Sequence, residues 1–373
     1  MNTPEFRADC ARLLTSVGSR AVEFKAFVGL DGFVDEIVHA VDKRENSEEY
    51  TRLPTIQAFA ERIAGAAGKS TNIEMVTQRT KLGGNGPIMA NALATLGLKT
   101  TYVGALGYPN LHPVFEPFAK CATVHSIAEP GRTDAAEFLD GKVMLVKSVS
   151  LNDVTWKNIE DRFGRERFAH QFASADLVAF VNWTMIPYMT EIWEGLLKEA
   201  CPKITGSRRK LFFDLADPEK RSDDDIARAL QLISEFEKHF DVILGVNEKE
   251  SFEIADALGI EDNGHSPETL CSMAQAIQSK LRINTVLVHP VTYALAVSDG
   301  KVDLVHGPVI TKPTITTGAG DHFNSGFCLG KLLGFDNADS LLCGVATSGY
   351  YVKTGHSPTI KDLAGLMRNW PSS

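Results

Sequence analysis

Apolar residues along this chain follow two alternating patterns. Short, nearly unbroken apolar runs at 26–30, 100–104, 177–181, 210–214, 241–246, 285–288 and 293–297 predict strands buried on both faces. Between them, apolar positions recurring every third or fourth residue predict helices over 4–17, 55–67, 88–96, 186–197 and 226–240. A further helix runs from Phe323 to a C-cap at Gly334. Strands alternating with helices call for an α/β fold, with a mostly parallel sheet covered on both faces. One stretch breaks the rhythm. Two β-type runs, 135–139 and 142–146, flank Asp140-Gly141, and an Asp-Gly between such runs predicts a hairpin set into the α/β chain. Segment 73–80 reads as another strand and 41–49 as a charged, exposed stretch. With no repeat, low-complexity tract or interdomain linker, the reading is a single domain over 1–373.

Composition changes this picture little. The 373 residues are 44% hydrophobic and 23% charged, as in ordinary globular proteins. A formal charge of -9 argues against a nucleic-acid or anionic-membrane partner, but not against a nucleotide held by local amides and a metal. The six cysteines (Cys10, Cys121, Cys201, Cys271, Cys328 and Cys343) are scattered without CxxC or zinc-like spacing, as expected of small core residues in a reducing compartment. The N-terminus lacks an apolar signal core and no run is long enough to span a membrane, so the expectation is a cytoplasmic protein.

The candidate chemistry centres on Thr316-Thr317-Gly318-Ala319-Gly320-Asp321, where a loop enters the late helix. A helix start leaves backbone N–H groups without acceptors and carries partial positive charge, and glycines let an anion approach closely. Amides that cradle a phosphate, beside a single carboxylate, suit phosphoryl transfer with Asp321 taking a proton from the attacking hydroxyl. The plainer account is a Gly-rich turn with Asp as a cap. Asp31 and Asp35 follow the strand at 26–30, where open α/β sheets bind ligands, and carboxylates there can grip sugar hydroxyls. Gly65-Ala66-Ala67-Gly68-Lys69-Ser70 is not a P-loop: Ile63 stands where its first glycine belongs, and a helix precedes it. Asn247 and Glu250 have capping-box spacing at a helix start. His289 and His322 read as packed or exposed histidines rather than catalytic ones.

Thr-Thr-Gly-Ala-Gly-Asp before a Phe-Asn-rich helix is similar to the C-terminal signature of pfkB-type carbohydrate kinases, the ribokinase-like family. Gly83-Gly84-Asn85-Gly86, before a helix and a strand, resembles that family's N-terminal signature, and the chain resembles the family from about Ala26 to Asp362. The resemblance implies a ribokinase-like three-layer α/β/α fold with a small β lid, made of inserts at about 37–80 and 122–150. It implies ATP and Mg²⁺, with the phosphates over Gly318, Ala319 and Gly320 and Asp321 as base. Substrate would lie against Asp31, Asp35, Gly83, Gly84 and Asn85. Thr317, Asn247, His289 and Gly355 would lie on the nucleotide side, with Glu250 and Asn247 organising magnesium through water. A homodimer formed through the lid is the implied assembly. Two departures stand out: Ile88 replaces an Asn that binds substrate in relatives, leaving Asn85 as the nearest polar candidate, and Ile315 replaces an Asp that helps hold a monovalent cation. The expected function is an ATP-dependent sugar kinase. The rivals are a nucleoside kinase with Phe33, Tyr102 or Phe138 as base clamp, a non-catalytic sensor on the same fold, and a kinase using ADP as donor.

Overall fold

The computed structural model describes residues 2–261 and 264–371. Its centre is a nine-stranded sheet. From one edge the order is Lys301–His306, Tyr293–Ser298, Thr285–Val288, Phe240–Val246, Arg209–Asp214, Leu177–Val181, Lys25–Gly29, Lys99–Gly104 and Thr123–Ser126. Tyr293–Ser298 pairs antiparallel with both of its neighbours, and all other pairs are parallel.

Successive side chains on a strand point to opposite faces, and here both faces are apolar. Phe27, Phe180 and Phe213 pack into one layer with Phe168, Trp193, Ile233, Ile254 and Ile277 of the helices on that side. Val28, Ala179 and Phe212 pack into the other, with Leu14, Met89, Phe327, Leu342 and Leu363. The expected three layers are therefore present.

A separate five-stranded sheet forms the lid. Its spine, Phe33–Arg44, pairs antiparallel with Met75–Gly83 and Tyr50–Arg52, and parallel with Gly131–Glu137. The last of these forms the expected hairpin with Lys142–Lys147, Glu137 opposite Lys142. The helix Ile56–Ala64 closes one face over a small core of Val38, Ala40, Leu53, Phe59, Ala136 and Phe138. Two sequence expectations change here. Part of the stretch read as exposed is the end of the spine, with Val41 buried. Charged residues interrupt its apolar pattern because they pair within the lid, Asp42 with Arg62 and Arg44 with Glu74. Thr123–Ser126, assigned to the second insert, pairs in parallel with Lys99–Gly104 as the edge of the main sheet. Lys301–His306 and the helix Asn337–Thr354 are additional to the elements the sequence pattern predicts.

The parallel strands end together at one edge. Asp31, Asn182, Asp214, Asn247 and His289 all lie at or just past carboxyl ends of neighbouring strands, where such sheets bind ligands. The helix Ala319–Leu333 starts at the same edge and lies against Asn337–Thr354 at close range. A Cβ on Gly326 would sit 2.5 Å from the Cys343 carbonyl, and on Gly330 2.7 Å from Ser340 Cα. Gly326→Ala must therefore push the two helices apart. It should cost ~1–3 kcal/mol, read as a lower urea midpoint with an unchanged slope.

Candidate active site

The site is assembled around Asp31, which is fully buried. Its Oδ2 accepts from the Asn85 amide (2.9 Å) and Asn182 Nδ2 (2.8 Å), and its Oδ1 accepts from the Gly86 amide (2.8 Å). Tyr102 donates its hydroxyl to the Asp31 carbonyl. Burial raises Asp31 to about 6 against these donors. The expectation that Asp31 grips substrate does not fit. Its carboxylate is spent on the first amides of the helix Asn85–Thr95, so it shapes the site from beneath. Gly84, at φ +93°, makes the turn into that helix, and a Cβ there would press on Asp31 Oδ2 and Gly32 Cα.

Asn85 carries the construction forward, its Nδ2 donating to Asp321 Oδ1 (3.1 Å). This joins the two glycine-rich motifs, which lie 236 residues apart. Asp321 is 5% exposed, and burial raises it to about 8. The Asn85 hydrogen bond and Lys81 pull it down, while Asp31 and Glu250 push it up.

The loop before Asp321 has the donors expected of an anion cradle, with one change. The Ala319 amide bonds back to the Thr316 carbonyl (3.1 Å). From Gly318 to Asp321, where the helix begins, the amides without an acceptor among the described residues are those of Gly318, Gly320 and Asp321. Ile88 covers the loop: a Cβ on Gly318 would lie 3.2 Å from it. His289 lies beneath Gly320, tilted against Phe323 at 5.0 Å, its Nε2 sealed from solvent with no hydrogen-bond partner among the described residues. Burial pulls His289 down to about 4, so it is a neutral floor to the loop.

The lid contributes the cations. Asp35, nearly buried, faces Lys81 Nζ at 3.7 Å, and its carboxyl is raised by burial while Lys81 opposes the rise. Gly83 is bare because Asp35 packs on it, 2.3 Å from where a Cβ would be. Lys142 reaches from the hairpin to Thr317 Oγ1 (3.2 Å) and lies 3.5 Å from Glu137.

On the opposite side, Asn247 and Glu250 form a complete capping box. Glu250 Oε2 accepts from the Asn247 amide and Oε1 from the Asp217 amide, each at 2.9 Å. Asp214, absent from the sequence-derived candidates, ends a buried strand at the same edge as Asp31. It is buried, accepts from Asn324 Nδ2 (3.0 Å) and the Ala216 amide (3.0 Å), and is pushed well up by burial, then by Glu250 and Asp321. Among the described residues no three His, Cys, Asp or Glu side chains converge closely enough to cage a metal. The donor set instead fits a hydrated, oxygen-preferring divalent ion brought in with phosphates. Gly355 caps the helix Asn337–Thr354 and lines a cavity of about 250 Å³ with Lys81, Ile88, His322, Tyr351 and Ser357. The candidate base clamps are enclosed: Phe33 lies against Gly131, Tyr102 is tied to Asp31, and Phe138 packs tilted against Phe59 in the lid core.

A ribokinase-like α/β fold with two glycine motifs meeting at one buried acid defines a pfkB-type carbohydrate kinase, and comparison with known proteins agrees. The structure resembles Arabidopsis thaliana ribokinase (TM-score 0.64, 17% identity, covering 92% of this chain and 98% of that one). It also resembles the nucleoside kinase of Methanocaldococcus jannaschii (TM-score 0.59, 15% identity, 92% and 98%). In sequence, a ketohexokinase of Haloferax volcanii is 31% identical over 341 residues, 91% of this chain and 89% of its own length. A family model for prokaryotic ketohexokinase matches residues 5–370, and the chain belongs to that family. No helix among the described residues is long and apolar enough to cross a membrane.

Asp321 has a measurable consequence for stability. Between its ordinary value of 3.8 and about 8 the folded protein holds a proton that the unfolded chain releases, so stability falls as pH rises through that window. Asp321→Asn removes the penalty. Without nucleotide, its Tm should exceed the parent's by ~2–4 °C near pH 8, the gap shrinking towards pH 5 in a thermal-shift series.

Proposed function

We propose that this protein transfers the γ-phosphate of ATP to a hydroxyl of a ketohexose, with Asp321 as general base. The observation that carries this reading is the meeting of a buried, proton-attracting carboxylate with three unpaired amides at one helix start. The ketohexose is chosen because of the Haloferax volcanii relative, and ATP because the Arabidopsis ribokinase was solved with ribose and ATP.

The acceptor sugar lies against Gly83 and Gly84, held by Asp35 and by the free oxygen of the Asn85 amide. Asp321 Oδ1 is engaged by Asn85, which leaves Oδ2 to take the hydroxyl proton. A carboxyl near 8 is matched to that task at physiological pH. The amides of Gly318, Gly320 and Asp321 then stabilise charge on the transferring phosphoryl group. Lys142 and Lys81 add positive charge from the lid. The closed lid also keeps water from competing as nucleophile. Asp214 and Glu250 are the carboxylates that would face hydrated magnesium, which supplies charge neutralisation to the phosphates when bound.

Asp321→Asn should bind nucleotide as the parent does and lose at least ~10²-fold in kcat. The check is a coupled ADP-release assay with fructose, other sugars and nucleosides as acceptors. A variant turning over at the parental rate would reject the base, and a panel in which only nucleosides react would reject the ketohexose. For the parent, kcat/KM should rise with pH and level off above about 8, as the base loses its proton.

The proposed assembly is a homodimer through the lid. Lys142–Lys147 is an open edge of the five-stranded sheet, and Leu139, Met144, Leu145 and Val146 around it are exposed. Light scattering should give twice the chain mass, and Leu145→Lys should return it to the monomer value.

A further inference from the structure

The anion loop is held from behind by two stacked rings that no step above uses. His322 stands in the first turn of the helix Ala319–Leu333, its ring 3.6 Å from that of Tyr351 at an interplanar angle of 12°. His322 Nδ1 lies 2.7 Å from the Gly318 carbonyl oxygen, and Nε2 lies 2.9 Å from Ser357 Oγ. A carbonyl can only accept, so Nδ1 carries the proton. Burial pulls the ring down to about 4 and keeps it neutral, so Nε2 accepts from the Ser357 hydroxyl. Ser357 in turn accepts from Asn91 Nδ2 (3.3 Å). Every polar atom of the chain thus has one consistent role, and only one tautomer of His322 satisfies it. Tyr351 donates its hydroxyl to the Thr317 carbonyl (2.9 Å).

Both anchored carbonyls belong to the phosphate-facing loop. The Thr317–Gly318 peptide is trans, and in a trans peptide the C=O and N–H point in opposite directions. Tying the Thr317 carbonyl to Tyr351 therefore turns the Gly318 amide away from Tyr351. The Gly318 carbonyl accepts from His322 twice, from the ring and from the main-chain N–H (3.1 Å). This fixes the turn out of which the Gly320 and Asp321 amides emerge. Gly318 itself, at φ +93°, has the freedom to relax if either anchor goes.

We infer that His322 and Tyr351 are positioning residues that aim the amides of Gly318, Gly320 and Asp321 at the transferring phosphoryl group, with Ser357 and Asn91 holding the His322 tautomer. The inference rests on the phosphoryl-transfer reading and goes beyond it, because it assigns the loop's geometry to two side chains that have no task in that reading. Two rings serving only as packing would be replaceable by apolar rings of like size at no kinetic cost.

Three substitutions on the full-length protein separate these accounts. Tyr351→Phe keeps the ring and the stack and deletes one bond to the loop. His322→Leu deletes the other bond, and His322→Asn restores a donor close to where Nδ1 stood. With sugar and nucleotide varied separately, Tyr351→Phe and His322→Leu should each lower kcat about tenfold or more. The sugar KM should stay within about twofold, and His322→Asn should recover most of the loss. Combining Tyr351→Phe with His322→Leu should lose less than the product of the single losses, since both act on one loop. A kcat for Tyr351→Phe within about twofold of the parent, or losses lying wholly in the sugar KM, would overturn the positioning role while the parent's turnover leaves the kinase reading intact. Should His322→Leu not fold, Tyr351→Phe decides alone. A parent without turnover on any acceptor would instead bring down the kinase reading itself.

Discussion

The site hangs on one buried carboxylate. Asp31 has no contact with solvent and takes hydrogen bonds from two consecutive helix-start amides and from Asn182. Desolvating a carboxylate is expensive unless donors surround it, and these donors come from two segments distant from Asp31 and from each other in the chain. The bond network therefore forms only when strand end, helix start and the neighbouring strand end are all in place. Its product is a fixed Asn85, whose side chain in turn orients Asp321. Removing Asp31 would leave those amides pointing at nothing and free the first turn of the helix Asn85–Thr95.

Around this frame the charges are arranged against stability. Asp31, Asp214, Glu250 and Asp321 share one edge of the sheet, all raised chiefly by burial, and Asp214 and Asp321 are raised further by their acidic neighbours. The cations that lean over them, Lys81 and Lys142, belong to the lid. A fold selected for stability alone would not gather four acids without matching bases. The same crowding makes a carboxylate that holds a proton near neutral pH and favours the arrival of positive charge. The lid thus completes the electrostatics of the cleft as well as its shape, with Asp35 of the spine Phe33–Arg44 facing Lys81 of the next strand.

How much of this could be read along the chain depended on whether a feature was local. The parallel strands were visible because a strand buried on both faces is apolar at nearly every position, as at Leu177–Val181 and Phe240–Val246. The hairpin was visible from its turn, and the capping box at Asn247 from its spacing. The lid spine was not, since its two faces meet different environments and no simple period survives. Asp214 ends a strand just as Asp31 does, so the same rule would have found it. His322 and Tyr351 gave no signal, because a buried histidine looks the same in sequence whether it packs or points.

The chain by itself determined the class of fold, the two glycine motifs and the acid between helix and loop, because each rests on neighbours within a few residues. It also placed Asn85 and Asp321 as candidates for one site. Only the tertiary structure decided what each does there. Contacts between distant segments showed Asp31 to be engaged by the start of the helix Asn85–Thr95 and Asn85 to be bound to Asp321, while a bond within the loop itself takes up the Ala319 amide. Burial and donor geometry, which set the proton affinity of a carboxylate and the direction of an amide, arise only when distant segments pack together.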